Sequence, residues 1–215
     1  MPPVTSNACK PASPATNPVV YMDIVIGNEP IGRVLFELFA EQCPKTVENF
    51  RALCTGECRN AEGKLLHYKG CSFHAVYPGW ALVGGDIMNN NGTGGESIYG
   101  PFFEDENFTI QHNKPGLLSM MNFKNDTNNS QFVISLCAAP SMDNQNVAFG
   151  QVLPSCAHIL DRIQEAGCDV LSGYTRELVT IADCGQLPAP TAVQCLKTKI
   201  GNLTGNEIQR TPKLA

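Results

Sequence analysis

Several residues with metal-binding side chains lie close together in the first half of the chain. Thiolates and imidazoles are the usual ligands of zinc in proteins, and the candidates here are Cys54, Cys58, His67, Cys71 and His74. Their spacing matches none of the standard zinc-finger patterns, and the last two stand at the start of a predicted strand. We therefore expect no metal site and no metal cofactor.

A glycine-rich run, NGTGGE at residues 91–96, has a composition that suits phosphate binding. Successive backbone N–H groups in such a loop can point at the oxygens of one phosphate. A nucleotide-binding loop also needs a Lys-Ser or Lys-Thr pair and a helix that begins directly after it. Neither follows this run, so we expect no nucleotide and no other cofactor.

The elements that position these residues are predicted to be mainly β-strands. Short apolar runs are repeatedly broken by Gly, Asn and Pro, which is typical of an all-β domain. The first two runs are joined by the turn-rich residues 27–30, which suit a hairpin. In the second run Val34, Phe36 and Leu38 share one face. Further strands are predicted at SFHAVY, LVGGDI, GLLSMMN, QFVISLC, VAFGQVL and ELVTIADC.

Two segments show helical rather than strand periodicity. In CPKTVENFRALC, Pro44 suits the first helical turn, and Val47, Phe50 and Leu53 form one stripe. The second predicted helix is HILDRIQEAG, with Gly167 as its stop signal. About eight strands and two helices predict a closed β-barrel capped at its ends, because closure removes the sheet edges that invite aggregation.

The composition limits which partners the protein can bind and which cellular compartment it can occupy. The 215 residues include 15 Lys plus Arg against 20 Asp plus Glu, so the net charge of -5 excludes nucleic acid as the main partner. No apolar stretch approaches the roughly 18 residues of a membrane span, and the start has no secretory apolar region. Ten cysteines without an export signal indicate free thiols in a cytoplasmic or nuclear protein that is not secreted.

Residues 1–18 and 188–215 lack apolar periodicity, so we expect flexible extensions around one domain at 19–187.

The order of several motifs carries a family resemblance. The runs ENFRALCTGE, YKGCSFH, PGW, GGDI, NGTGGESIYG, FEDENF, HNKPGLLSM, SQF and TIADCGQL follow one another as they do in cyclophilins. Over residues 19–187 the chain resembles this family. The resemblance implies a closed eight-stranded antiparallel cyclophilin-like β-barrel capped by two α-helices, with a groove that binds X-Pro segments. It also implies peptidyl-prolyl cis-trans isomerase (rotamase) activity in protein folding.

That reaction needs no covalent step. Rotation about an amide bond is opposed by a barrier of roughly 18 to 20 kcal/mol, and X-Pro bonds exchange slowly unaided. In cyclophilins an arginine donates to the prolyl nitrogen, an apolar pocket holds the ring, and a glutamine anchors the substrate backbone. The donor acts by preorganised electrostatics in a partly dry site.

The groove positions implied by the resemblance are substituted in this sequence. The arginine that follows Phe73-His74 is replaced by Ala75, and the glutamine before the paired glycines by Val83. An aromatic residue, a tryptophan, a histidine and an alanine of the family correspond to Val133, Ser141, Asn146 and Met121. The other implied groove residues are Phe73, Asn122, Gln131, Trp80 in place of phenylalanine and Met142 in place of leucine.

No residue of the sequence therefore takes the place of the catalytic donor. We expect a protein that binds proline-containing segments, alone or as a subunit of a larger assembly, with weak or no isomerase activity. Loss of polar anchors also predicts weak or no binding of cyclosporin. The alternative is an active isomerase that assists protein folding, and turnover of prolyl peptides separates the two.

Trp80, the only tryptophan, has two interpretations. At the position of a groove phenylalanine, its indole can cover a proline ring or a partner side chain. It can equally lie at the barrel mouth with its N–H in water. We favour the groove.

The segment ECRNAEGKLLHYKG is a loop insertion relative to the shortest cyclophilins and resembles a divergent-loop subgroup. In that subgroup a glutamate braces the loop and two cysteines are proposed to respond to oxidation, which implies Glu96, Cys54 and Cys184 here. Cys54 ends an apolar helical stripe and Cys184 ends a strand, both ordinary positions for a small buried residue. The redox and the structural interpretations both stay open.

Overall fold

A computed structural model describes residues 17–166, 177–189, 191 and 195 of the chain. Its helices are α1 (Pro44–Thr55) and α2 (Ala157–Glu165). Its strands, in chain order, are β1 (Val19–Ile26), β2 (Glu29–Leu38), β3 (Cys58–Arg59), β4 (Leu65–Leu66), β5 (Ala75–Tyr77), β6 (Ala81–Gly84), β7 (Leu117–Met120), β8 (Phe132–Ser135), β9 (Ala148–Val152) and β10 (Val179–Gln186).

Eight of these strands form one antiparallel sheet in the order β10-β1-β2-β9-β7-β8-β6-β5, while β3 and β4 pair separately in the loop insertion. The predicted mainly β fold with two helices is confirmed. The term "closed" is an overstatement, because the edge strands β5 and β10 do not pair with each other. Instead, Ser72 bridges Thr180, and the N–H of Phe73 donates to the Val179 carbonyl at 2.9 Å. The sheet is thus a half-barrel whose gap is spanned by the segment before β5.

The β1–β2 hairpin forms where the turn residues predict it. Gly27 adopts a φ of 58°, a left-handed conformation that glycine reaches without strain. Along β2, Val34, Phe36 and Leu38 are buried and alternate with more exposed residues. The period of two in the sequence therefore identified the core face of this strand.

Both helices bury the stripes that their sequences predict. Val47, Phe50 and Leu53 of α1 are buried. The centroid of the Phe50 ring lies 5.1 to 6.0 Å from the centroids of four other aromatic rings of the core. In α2 the buried residues are Ile159, Leu160 and Ile163. The predicted stop signal of α2, Gly167, lies outside the described residues.

The predicted domain at 19–187 and its two flexible extensions stay a prediction. Beyond Leu187, half-buried Cys195 packs against the small cluster of Val19 and Leu153. Cys58 is disulfide-bonded, and the described free thiols are Cys43, Cys54, Cys71, Cys137, Cys156, Cys184 and Cys195. Within the described ranges no helix is long and apolar enough to cross a bilayer.

Replacing the fully buried Phe132 with alanine is expected to lower the free energy of unfolding by about 3 to 5 kcal/mol, because its contacts with Phe50, Tyr68 and Phe73 are lost. Urea denaturation followed by circular dichroism measures the change. Phe102→Ala is the matched control, since Phe102 is 52% exposed and its loss should cost within about 0.5 kcal/mol. Equal effects of the two substitutions would contradict the core assignment.

Candidate functional site

The floor of a groove is built from the outer face of β5, β6 and β8. Ala75 is the direct cross-strand partner of Val83, and Val83 is the partner of Val133. Side chains alternate along a strand, so the intervening residues, such as Val76 and Phe132, point to the opposite face and join the main core. Three small apolar side chains therefore lie side by side on the face away from that core.

The groove has a volume of about 620 Å³, within the usual range for ligand sites. It brings together ten of the eleven groove residues predicted from the sequence: Ala75, Trp80, Val83, Met121, Asn122, Gln131, Val133, Ser141, Met142 and Asn146.

Phe73 is the predicted residue that does not line this groove. It is 1% exposed, and its ring packs edge-to-face on Phe132 in the main core. Alternation would place Phe73 on the same face as Ala75, but β5 begins only at Ala75. The preceding residues instead follow β10, through the bridge of Ser72 to Thr180.

The remaining lining residues come mainly from loops, which periodicity does not position. They are His74, Tyr77, Asn91, Gly92, Phe123, Lys124, Asn125 and Gln145. His74 belongs to a motif that was recognised in the sequence, and Asn91 and Gly92 belong to the NGTGGE run. Neither motif indicated that these loops meet at one groove.

Two methionines cover much of the apolar floor. Met142 is buried in one cluster with Val83 and Val133, and partly buried Met121 packs against that cluster. In this cluster Val83 is 6% exposed and Val133 is 2% exposed. The space left by the small strand residues is thus partly filled by flexible thioether side chains.

Gln131 connects the groove to the loop at 86–94. Its Nε2 donates to the carbonyl oxygens of Gly92 at 3.0 Å and Gly94 at 2.7 Å. The buried Asp86 carboxylate organises this loop by accepting backbone N–H groups, including that of Asn89 at 2.9 Å. Burial alone would raise the pKa of Asp86, but these N–H donors outweigh it and hold the pKa below its ordinary value.

Two asparagines of the groove also hydrogen-bond within the protein. Asn122 Nδ2 donates to the Gln145 carbonyl at 2.9 Å, and Asn146 Nδ2 donates to the Met120 carbonyl at 3.0 Å. Together with Gln131, they tie the groove walls to one another. Asn122 and Gln131, which match the family pattern, therefore have a structural role that does not require catalysis.

His74 directly precedes Ala75, the position that the family resemblance assigns to the arginine donor. Its Nδ1 is buried and has no hydrogen-bond partner among the described residues. Burial lowers the pKa of His74 although nearby Asp86 opposes the shift, so the imidazole is neutral at neutral pH. A neutral ring is a weaker electrostatic donor than a guanidinium.

Among the residues that the structure describes, no arginine lines the groove. The four described arginines bond to other groups: Arg33 to Asp23, Arg51 to Glu48, Arg59 to the Gly63 carbonyl and Arg162 to Glu29. No group of three or more metal-binding side chains is arranged to hold an ion in the same part of the chain.

The chain matches a known protein family over most of its length. The family model described as cyclophilin type peptidyl-prolyl cis-trans isomerase/CLD matches residues 21–186, which include the whole β-sheet except its first two residues. The chain belongs to the cyclophilin family. The groove on β5, β6 and β8 is therefore the candidate peptide site of this cyclophilin.

Glu96 contacts the loop insertion of this cyclophilin. Glu96 Oε2 accepts a hydrogen bond from Asn60 Nδ2 at 2.8 Å. Asn60 lies between β3 and β4, and its Oδ1 accepts the N–H of Lys64 at 2.9 Å. Glu96 thus braces the inserted hairpin against the loop at 95–101.

Cys54 and Cys184 are both buried free thiols. Burial raises the pKa of Cys54 well above its ordinary value and the pKa of Cys184 to about 12. The Cys184 thiol lies 3.4 Å from His67 Nε2, which is also 3.1 Å from the Cys54 carbonyl oxygen. Thiolates are the reactive form, so both cysteines are weakly reactive in this conformation.

At pH 7.5, iodoacetamide is expected to modify half-buried Cys137 at least about tenfold faster than Cys54 or Cys184, because burial disfavours the thiolate and restricts access. Mass spectrometry after timed alkylation gives the rate for each cysteine. The urea-unfolded chain is the control, in which the three rates should converge. Fast labelling of Cys54 and Cys184 in the native protein would instead favour the redox interpretation.

Proposed function

We propose that this cyclophilin binds proline-containing segments in its groove and isomerises them weakly or not at all. The observation that carries the proposal is the methyl group of Ala75 at the donor position, in a groove with no arginine among its described lining residues. The alternative is an active isomerase that assists protein folding.

The chemistry explains why one position has so large an effect. Twisting the prolyl amide concentrates electron density on its nitrogen, and a donor aimed at that nitrogen stabilises the twisted state. Removing one such preorganised donor typically costs about 10² to 10³ in rate. Val83, an apolar partner of Ala75 across the strands, also offers no hydrogen bond to the substrate backbone.

Binding does not require that donor. The groove retains an apolar floor, the half-exposed Trp80 ring and amide groups on its walls. An extended segment can gain apolar burial on the floor and hydrogen bonds at the walls without any change in its barrier to rotation. These features support a binding module whose turnover is slow.

Ala75→Arg is expected to raise kcat/KM in a protease-coupled prolyl-peptide assay by up to about a hundredfold, since one restored donor is worth at most about 3 kcal/mol. Adding Val83→Gln should increase the gain, because the two positions face each other across β5 and β6 and act on one substrate. Leu65→Arg, at an exposed site outside the groove lining, is the matched control and should change nothing.

Two results of this assay would contradict the proposal or its explanation. High turnover by the natural chain would establish the active-isomerase alternative. No gain in the double variant would mean that the shape of the pocket, and not the missing donor, limits the chemistry.

Cyclosporin is expected to bind far more weakly than to a typical cyclophilin, because polar anchors and aromatic area are replaced at Val83, Val133 and Ser141. Each lost contact of this kind costs about 1 to 3 kcal/mol, and the losses are not additive. Isothermal titration calorimetry against a typical cyclophilin measures the difference. Nanomolar binding to this chain would overturn the expectation.

We also propose that the protein is cytoplasmic or nuclear and that it can act as a subunit of a larger assembly. The free thiols of seven described cysteines support a reducing compartment, whereas the disulfide at Cys58 does not. Alkylation and mass spectrometry of protein taken from its native cells would test this part directly.

A further inference from the structure

The floor of the groove is apolar, and small side chains from three neighbouring strands form it. An arginine, a glutamine and an aromatic residue are replaced by Ala75, Val83 and Val133, which are neighbours across three strands. Their side chains offer only methyl groups, and Val83 and Val133 are buried in one cluster with Met142. The volume above this floor depends on what covers it.

The cover is formed by methionines, which can move. Met142 is 7% exposed and Met121 is partly buried against the same cluster. Methionine is unbranched and polarizable, and it adapts its shape to an apolar ligand at small cost. A bulky apolar side chain can therefore enter between the methionines and the strand residues and gain contacts that a smaller ring would not make.

Aromatic side chains extend this apolar surface to the rim. Trp80 is 44% exposed and Phe123 is 64% exposed, and both line the groove. Tyr77 holds the Trp80 ring edge-to-face at 5.4 Å between centroids. Large exposed apolar side chains at a concave site mark a surface that gains stability when a partner covers it.

The charge of the groove differs from that of the whole chain. The chain carries a net charge of -5, yet no carboxylate occurs among the described residues that line the groove. Lys124 lies on the rim and forms no ion pair with any residue in the described ranges. With His74 neutral, Lys124 is the formal charge that this lining presents, and it complements an acidic ligand.

We propose that the groove recognises a proline-containing protein segment in which a bulky apolar residue precedes the proline and a carboxylate lies close to Lys124. This inference rests on the proposed function and specifies its ligand class. The apolar residue occupies the floor under Met121 and Met142, and the rim aromatics cover the rest of the segment.

Binding is tested with the capped peptide Ser-Glu-Phe-Pro-Gly-Ser and the full chain, followed by Trp80 fluorescence. Alanine in place of the peptide phenylalanine is expected to weaken binding about tenfold, because a large apolar side chain is no longer buried. Lysine in place of the glutamate should weaken it about fivefold at low salt, and Lys124→Gln should remove this difference. Lys64→Gln, an exposed lysine outside the groove lining, is the matched control.

The location of the bound side chain is tested by ¹³C-methyl labelling of methionine. The methyl signals of Met121 and Met142 should shift when the phenylalanine peptide binds. The signals of Met22 and Met120 should not, since both residues are fully buried in the main core. Val133→Phe, which fills the floor, should reverse the preference for phenylalanine over alanine, whereas Phe102→Ala outside the groove should leave it unchanged.

The results separate this inference from the function on which it rests. If proline is required but phenylalanine and alanine bind equally, this inference is wrong and the proposed function stands. If phenylalanine is preferred but proline can be replaced by alanine without loss, the proposed function fails and only the apolar anchor survives. Absence of any methyl shift at Met121 and Met142 overturns the assignment of the groove as the binding site.

Discussion

The packing of Phe132 in the barrel core is the interaction on which the groove depends. Its ring meets those of Phe50, Tyr68 and Phe73 edge-to-face, and all four rings are buried. Because side chains alternate along β8, the inward direction of Phe132 sets the outward direction of Val133. Cross-strand pairing transmits the same register to β6 and β5, so the core determines which residues can form the floor of the groove.

The polar residues of the groove hold its loops. Gln131 bonds to two carbonyl groups of the loop at 86–94, and Asn122 and Asn146 bond to carbonyl groups of neighbouring segments. These side-chain amide groups donate hydrogen bonds to backbone carbonyl groups, which lose their hydrogen bonds to water when the protein folds. Asn122 and Gln131, which match the family pattern, therefore contribute to the structure of the groove whatever its chemistry.

Strand and helix periodicity predicted the strands and both helices, because it reports which face of an element is buried. The groove residues were implied by the family resemblance and not by periodicity. The matched motifs placed Phe73 in the groove, whereas the chain changes direction before β5 and buries that ring. They also could not place Phe123 and Lys124, since loop residues follow no period and meet the groove only through tertiary contacts. Full closure of the barrel was overstated because pairing between edge strands depends on the irregular segment at 70–73.

The groove and the barrel core are two separate apolar clusters, and this separation allows groove residues to differ without disturbing the core. Val83, Val133 and Met142 belong to the small cluster, whereas Phe132 and its aromatic neighbours belong to the large one. Most of the stability comes from the apolar area buried in the large cluster. A change at Ala75 or Val83 alters the shape and polarity of the groove while the aromatic packing stays intact. Residues of the groove can thus vary with little effect on the free energy of unfolding.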